Sequence, residues 1–253
     1  MQIYEQYIWY YLSDVFRYGL KGSELGITND LIYRIVSFYG GRSPSCEVYA
    51  FNENVHENIR GADIDLFIED NGSGNYYFYM LQAKILNSRG RYLDIAPWSS
   101  RSQYGLLIRN ARIENATPLY LLYNGYSDNS NLGSPLFGLS IINANIIRII
   151  RVRQRVLITK PKLTFNQLHP HNMNPFHILF CETPIPYRVQ NTISGRDIYR
   201  GYPYIRINTN NEPEPSNTEN DEGNNDNNRN AISIINSNHL APFRIIVQND
   251  RTI

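Results

Sequence analysis

Apolar and polar positions in the first forty or so residues repeat with the period of a helix. Apolar residues fall three or four positions apart over residues 3–18, which predicts an amphipathic helix ending near Gly19. A second helix is predicted through LIYRIVSFY (31–39), with Thr28, Asn29 and Asp30 supplying its N-cap chemistry. Gly40-Gly41 is expected to end it.

Strand patterns dominate the next part of the chain. The segments EVYAF (47–51), ADIDLFI (62–68) and YYFYMLQAK (76–84) are predicted strands, and the turn EDNGSGN (69–75) joins the last two into a hairpin. RSQYGLLIRNARIENA (101–116) has helical spacing, and LYLLYN (119–124) has the continuous apolar pattern of a buried strand. The order predicts an α/β fold with an αβββαβ core, in which helices flank a mixed central sheet.

The remainder of the chain is less regular. FGLSIINANIIRIIRV (137–152) fits either a helix after a turn or a long strand. Residues 208–230 are rich in asparagine and lack aromatic residues, so they are predicted to form a disordered loop. We therefore expect one domain over 1–207, the loop over 208–230, and C-terminal strands within 231–253, AISII (231–235) and FRIIVQ (243–248), that return to the domain.

The composition of the chain predicts the cellular location of the protein. Two cysteines cannot form a disulfide framework and suit a reducing compartment, so an intracellular location, cytoplasmic or nuclear, is predicted. The N-terminus lacks the pattern of a signal peptide, and no segment has the roughly 18 uncharged apolar residues of a membrane span. The formal net charge of the chain is only +1, but the charges are unevenly distributed, and residues 129–181 contain no acid.

The predicted hairpin brings polar side chains together on one face of the sheet. A turn centred between Gly72 and Ser73 places Asp63 across from Gln82. Because side chains alternate along a strand, Asp65 shares the face of Asp63, and Lys84 shares the face of Gln82.

This grouping predicts a site for a hard divalent cation. Mg²⁺ binds carboxylate, amide and carbonyl oxygens, so Asp63, Asp65, Gln82 and the backbone carbonyl of Ala83 are candidate ligands, with Lys84 as the auxiliary cation. A further acid at the start of the second helix, Glu24 or Asp30, would add charge that the Gln82 amide lacks. A metal held there can activate water for attack on a phosphodiester. The alternative is that Lys84 and Asp65 are solvated surface charges.

GAD-x-D (61–65), LQAK (81–84) and the αβββαβ order together resemble the PD-(D/E)XK nuclease superfamily, with LQAK similar to the QxK variant of Mrr-type restriction endonucleases. More narrowly, five segments resemble a PD-(D/E)XK-like family known mainly from bacteria. The resemblance extends over roughly residues 20–182, and the segments are SELGITNDLI (23–32), GADIDLFI (61–68), LQAK (81–84), PLYLLYN (118–124), and GLSIINA (138–144) with the later NPFHILFC (174–181).

The resemblance implies a restriction-endonuclease-like fold and a Mg²⁺- or Mn²⁺-dependent endonuclease that hydrolyses phosphodiester bonds, in DNA before RNA. Asp63 then matches the metal aspartate, Gln82 the position usually held by an acid, Lys84 the catalytic lysine and Glu24 the helix-borne acid. Gln103, on the helix after the motif strand, is implied to support the site. The alternative is a catalytically inactive module that keeps the fold and binds nucleic acid or a protein; a homodimer remains open.

Basic residues concentrate where acids are absent. Arg148, Arg151, Arg153 and Arg155 fall within the acid-free segment, so they are predicted to contact a nucleic-acid backbone or, alternatively, to face water on an amphipathic element. His169, His171, His177 and Cys181 could imitate a zinc site, but their spacing fits no standard zinc pattern.

Overall fold

The fold is mixed α/β. The computed structural model describes residues 1–39, 46–51, 60–70, 72–92, 95, 102–126, 134–155, 163–180, 192–194, 204–206 and 243–247. The helices in these ranges are α1 (Gln2–Arg17), α2 (Glu24–Tyr39), α3 (Gln103–Ile113), α4 (Ala144–Arg155) and α5 (Phe165–Leu168), with 3-10 turns at Pro135–Phe137 and Phe176–Phe180. None of these helices has both the length and the apolar character of a membrane span.

The strands of the described ranges form one mixed sheet. They are β1 (Cys46–Phe51), β2 (Ile64–Glu69), β3 (Asn75–Ile85), β4 (Thr117–Tyr123), β5 (Leu139–Asn143), β6 (Asn174–Pro175), β7 (Ile193–Ser194), β8 (Tyr204–Arg206) and β9 (Phe243–Val247). The order across the sheet is β6-β5-β4-β3-β2-β9-β1-β8, and β7 pairs with the start of β3. Strand β3 is antiparallel to β2 and parallel to β4.

Helices cover both faces of the sheet, which confirms the predicted α/β class and its αβββαβ order. The apolar residues of α1 and α2 pack on the face formed by Ile64, Leu66, Tyr79 and Leu81. The apolar residues of α3, α4 and α5 pack on the opposite face, formed by Phe67, Phe78, Met80 and Tyr120. Strand β3 is buried along nearly its whole length because it lies in the middle of these layers.

Two predicted element boundaries change. Helix α2 starts at Glu24, so Thr28 lies inside it; Ser23 instead caps the first turn by accepting a hydrogen bond from the Gly26 N–H at 3.0 Å. A serine hydroxyl serves this purpose as well as the later Thr-Asn-Asp run does, and it allows the helix one more turn. The helix predicted over 101–116 ends at Ile113, and the strand predicted from residue 119 begins at Thr117, so Pro118 lies within β4.

The segment left open between helix and strand contains both. Strand β5 (Leu139–Asn143) pairs with β4 and is followed directly by α4. The predicted loop at 208–230 and the predicted strand at 231–235 lie outside the described residues. The last predicted strand is confirmed as β9, which lies between β1 and β2, antiparallel to the first and parallel to the second.

Candidate functional site

The β2–β3 hairpin has the register that the sequence predicts. Ile64 pairs with Leu81, and the Asp63 N–H donates to the Leu81 carbonyl at 2.8 Å. Asp63 immediately precedes β2 and therefore lies across from Gln82, while β3 continues beyond it. The polar side chains of the motif thus collect where one strand begins and its neighbour extends further.

Strand β2 begins only at Ile64, so beyond Leu81 the edge of β3 is met by the Asp63 carboxylate instead of by a paired strand. Asp63 Oδ2 accepts the backbone N–H of Ala83 at 2.6 Å and the side-chain Nε2 of Gln82, also at 2.6 Å. The same Nε2 lies 3.5 Å from the Ala83 carbonyl oxygen. Gln82 is fully buried and Asp63 is only 9% exposed. Three oxygen-bearing groups, the Asp63 carboxylate, the Gln82 amide and the Ala83 carbonyl, therefore meet at one point.

The Gln82 amide is oriented by its neighbours. A carboxylate and a carbonyl are both acceptors, so the NH₂ side of the amide faces them. The Gln82 N–H group thus lies between the Asp63 carboxylate oxygen and the Ala83 carbonyl oxygen. A cation would be attracted to the same position between these two oxygens. Rotation of the amide by half a turn would present its oxygen instead, so the donor set of one carboxylate, one amide and one carbonyl suits a hard divalent cation that keeps several waters.

Glu24, one of the two acids that the sequence offers at the start of the second helix, contacts Lys84. The Lys84 Nζ lies 3.1 Å from Glu24 Oε1, with the lysine side chain 9% exposed and the glutamate side chain 34% exposed. Glu24 is the first residue of α2, where the helix dipole favours an acid. Asp30, the other acid offered by the sequence, instead accepts the Tyr4 hydroxyl at 2.9 Å and pairs with Arg34. The helix therefore contributes Glu24 to the motif.

Asp65 has a different role from the predicted metal ligand. It shares the face of Asp63, yet it is fully buried and its two oxygens accept hydrogen bonds from Arg60 at 2.8 Å. Arg244 on β9, directly across from Asp65, approaches at 3.4 Å, and Arg60 also binds Glu114. Because guanidinium groups engage both oxygens, we assign Asp65 to this ion cluster and not to metal binding. Burial raises the pKa of Glu114, and the positive charge of Arg60 opposes that rise.

Gln103 lies beside the motif through its backbone. It is the first residue of α3, which Ser102 caps. A Cβ at Gly61 would collide with the Gln103 carbonyl, and Gly61 has a φ of +77°. Only glycine therefore lets the chain pass α3 and still deliver Asp63, two residues later. Among the described residues the Gln103 side chain has no hydrogen-bond partner, and its supporting role stays a prediction.

The predicted basic surface is described only in part. Arg148 is exposed on α4, and its positive charge acts on the hydroxyl of Tyr104, whose pKa is raised by burial and lowered by Arg148. Tyr104 follows Gln103 at the start of α3, and α3 contacts the helix α4 that carries Arg148. Arg151, Arg153 and Arg155 belong to the same helix, but their side chains lie outside the described part.

The histidines do not form the alternative zinc site within the described ranges. His169 is buried, contacts Ser140 Oγ at 3.0 Å and the Phe165 carbonyl at 3.1 Å, and stacks on the Phe165 ring. His177 Nδ1 contacts Glu5 Oε2 at 2.6 Å. No group of three or more His, Cys, Asp or Glu side chains arranged for a metal occurs in the described ranges. A cation at Asp63 would thus depend on amide and carbonyl oxygens.

Sequence reasoning missed Arg60, Arg244, Thr28 and Tyr123. The signal for a cationic partner was present, because an aspartate at an inward position of a buried strand needs one. Its identity could not follow, since Arg244 lies 179 residues from Asp65. Thr28 and Tyr123 are polar residues within apolar patterns, and they hydrogen-bond each other at 2.8 Å beside Glu24.

Comparison with protein families identifies a matching family. The model of a family of unknown function, DUF6615, matches residues 5–252. Neither the curated proteins nor the solved structures contain a match.

Proposed function

The chain belongs to this family of unknown function, and we propose that it is a Mg²⁺- or Mn²⁺-dependent nuclease that hydrolyses phosphodiester bonds, with DNA favoured over RNA. The observation that carries the proposal is the meeting of Asp63, Gln82 and the Ala83 carbonyl, with the Lys84–Glu24 pair on the same hairpin and helix end. The resemblance of GAD-x-D and LQAK to the PD-(D/E)XK superfamily supports the same reading.

Each group has a distinct task in this mechanism. Asp63 Oδ2, the Ala83 carbonyl and, after rotation, the Gln82 amide oxygen would hold the cation. A bound divalent cation polarises the phosphoryl oxygen and acidifies an attacking water. Lys84 offers an ammonium to the negative charge that develops on the phosphate, and Glu24 keeps that ammonium directed toward the site. Because Lys84 is mostly buried, its charge acts in a medium that screens it less than water does.

A cleavage assay tests the proposal. Wild-type protein should cleave duplex DNA, single-stranded DNA or RNA with Mg²⁺ or Mn²⁺, and EDTA should stop the reaction. Asp63→Asn should lose activity and calorimetric metal binding while keeping an oxygen that accepts the Ala83 N–H. Lys84→Met should lose turnover but keep metal binding, because an ammonium is not a metal ligand.

The control is a surface acid with no place in the site. Asp14→Asn removes a negative charge from an exposed position of α1 and should leave cleavage and metal binding unchanged. If the wild type cleaves none of the three substrates and binds neither cation, the proposal fails.

The alternative function, an inactive module that binds nucleic acid, gains support from the amide at position 82, because one carboxylate alone makes a weaker cation site. It predicts salt-dependent binding without cleavage. Charge reversal at Arg148 should then weaken binding and reduce the salt dependence.

A further inference from the structure

A chain of hydroxyl groups connects the sheet to the helix turn that carries Glu24. Tyr123, the last residue of β4, is fully buried, and its hydroxyl lies 2.8 Å from Thr28 Oγ1. Thr28 Oγ1 in turn lies 2.9 Å from the backbone carbonyl of Glu24. The path therefore runs from a rigid strand to the first turn of α2 in two hydrogen bonds.

The direction of both hydrogen bonds is determined by chemistry. A carbonyl only accepts, so Thr28 donates its single hydroxyl hydrogen to Glu24 and must accept from Tyr123. Burial raises the pKa of Tyr123, and the negative charges of Asp63 and Glu24 raise it further. The net shift is upward, so the phenol stays protonated and remains the donor at every working pH.

The connection acts where a helix is least constrained. The first N–H groups of a helix have no partner within it, so the first turn frays unless other groups hold it. Ser23 accepts one of these N–H groups, from Gly26, and the bonds through Thr28 add a second restraint by tying the Glu24 backbone to the sheet. Glu24 is the first residue of α2, and its carboxylate contacts Lys84. In the sheet, Lys84 pairs with Leu122 and Ile85 pairs with Tyr123, so the strand that anchors Glu24 is the direct neighbour of the strand that carries Lys84.

We infer that Tyr123 and Thr28 are positioning residues of the candidate site, which fix the first turn of α2 so that Glu24 holds the Lys84 ammonium. The importance of that ammonium for turnover rests on the proposed function. The geometric effect on the Glu24–Lys84 pair does not, and it can be measured without any cleavage.

The first experiment measures the coupling between Glu24 and Lys84. Urea unfolding of the wild type, Glu24→Gln, Lys84→Met and the double variant gives their coupling free energy. The same cycle is repeated with Tyr123→Phe present and with Tyr92→Phe present. Tyr92 is the matched control, because its buried hydroxyl donates to Asn124 at 2.5 Å and has no bond to α2.

The two backgrounds should differ. Tyr123→Phe should reduce the Glu24–Lys84 coupling by more than half, whereas Tyr92→Phe should lower overall stability and leave the coupling unchanged. Equal coupling in all three backgrounds, or an equal loss with both tyrosine variants, would overturn the inference whether or not the protein is a nuclease.

The second experiment separates positioning from packing when cleavage is measurable. Thr28→Val and Tyr123→Phe should each lower kcat by up to about tenfold with little change in KM, since one hydrogen bond is lost and the substrate contacts remain. Thr28→Ser keeps the hydroxyl and should restore kcat. If Thr28→Ser behaves like Thr28→Val, the methyl group matters instead of the hydroxyl, and the inference is wrong.

Discussion

The substitution Gln82→Glu tests the geometry of the site most directly. In the wild type the Gln82 Nε2 donates to Asp63 Oδ2 at 2.6 Å and approaches the Ala83 carbonyl. A glutamate at neutral pH has no hydrogen to donate there. The change therefore replaces an attraction between two buried side chains by a repulsion between two carboxylates.

The size of the effect follows from the spacing. Two unit charges about 4 Å apart repel by roughly 4 kcal/mol at an effective dielectric constant of 20. Rearrangement of the side chain and entry of water relieve part of this, so we expect a loss of about 2 kcal/mol in the free energy of unfolding. For a chain of this size that loss lowers Tm by roughly 4–8 °C. A divalent cation removes the repulsion, and a cation at one hundred times its Kd adds about 2.7 kcal/mol.

The assay is thermal unfolding at pH 8 in EDTA and in Mg²⁺, with calorimetric titration of the metal. Gln82→Glu should melt below the wild type in EDTA, recover in Mg²⁺, and bind the cation more tightly. At pH 5 the deficit in EDTA should shrink, because adjacent carboxylates raise one pKa of the pair and can share a proton.

Gln167→Glu is the control. It also adds one negative charge, but its side-chain oxygen still accepts the Thr164 N–H in the short helix α5. Replacing EDTA by Mg²⁺ should change the Tm of Gln167→Glu by no more than it changes the Tm of the wild type. If Gln82→Glu is as stable as the wild type in EDTA and gains nothing from Mg²⁺, the two side chains do not form a common cation site.

Three further predictions concern the surrounding structure. Asp65→Asn should lower the free energy of unfolding by about 3–5 kcal/mol in urea titrations, because it leaves Arg60 buried without its main counter-charge, yet Mg²⁺ affinity of the folded protein should not change. Burial lowers the pKa of His169 to about 4, so the unfolded chain binds a proton first as the pH falls. The free energy of unfolding should therefore drop by about 3 kcal/mol from pH 7 to pH 4. Chemical unfolding at both pH values should show that His169→Gln removes most of this drop. Deletion of residues 243–253 should prevent cooperative unfolding, because it removes the central strand β9, whereas deletion of 208–230 should leave Tm nearly unchanged in calorimetry.

The sequence pattern predicted the contacts of the candidate site that lie within the β2–β3 hairpin. The register of the β2–β3 hairpin follows from one short turn, so the approach of Asp63 to Gln82 could be derived from sequence alone. The contact of Glu24 with Lys84 spans sixty residues. The resemblance singled out Glu24 as a helix-borne acid, but neither it nor the periodicity predicted the contact with Lys84.

Non-local pairing limited the rest of the prediction. The sequence indicated that the segment near 243–248 is a strand, but its insertion between β1 and β2 depends on pairing with residues nearly two hundred positions earlier. Strand patterns specify which face of a strand is buried and not which neighbour it finds. The sequence could not decide between helix and strand at 137–152 for another reason. A five-residue strand is followed directly by a helix there, so one window of sequence contains both periodicities.

The different fates of Asp63 and Asp65 show how this non-local strand shapes the site. Alternation places both acids on one face, and nothing in their own segment distinguishes the proposed metal ligand, Asp63, from the structural acid, Asp65. What separates them is the position of each along the hairpin. Asp65 lies within β2, where Arg244 of β9 is its direct cross-strand partner and Arg60 is in reach, so its charge is neutralised inside the core. Asp63 lies just before β2, and its carboxylate accepts hydrogen bonds from the Ala83 N–H and the Gln82 side-chain amide. Because Arg60 and Arg244 neutralise Asp65, a cation proposed at Asp63 would not also face an uncompensated charge on Asp65.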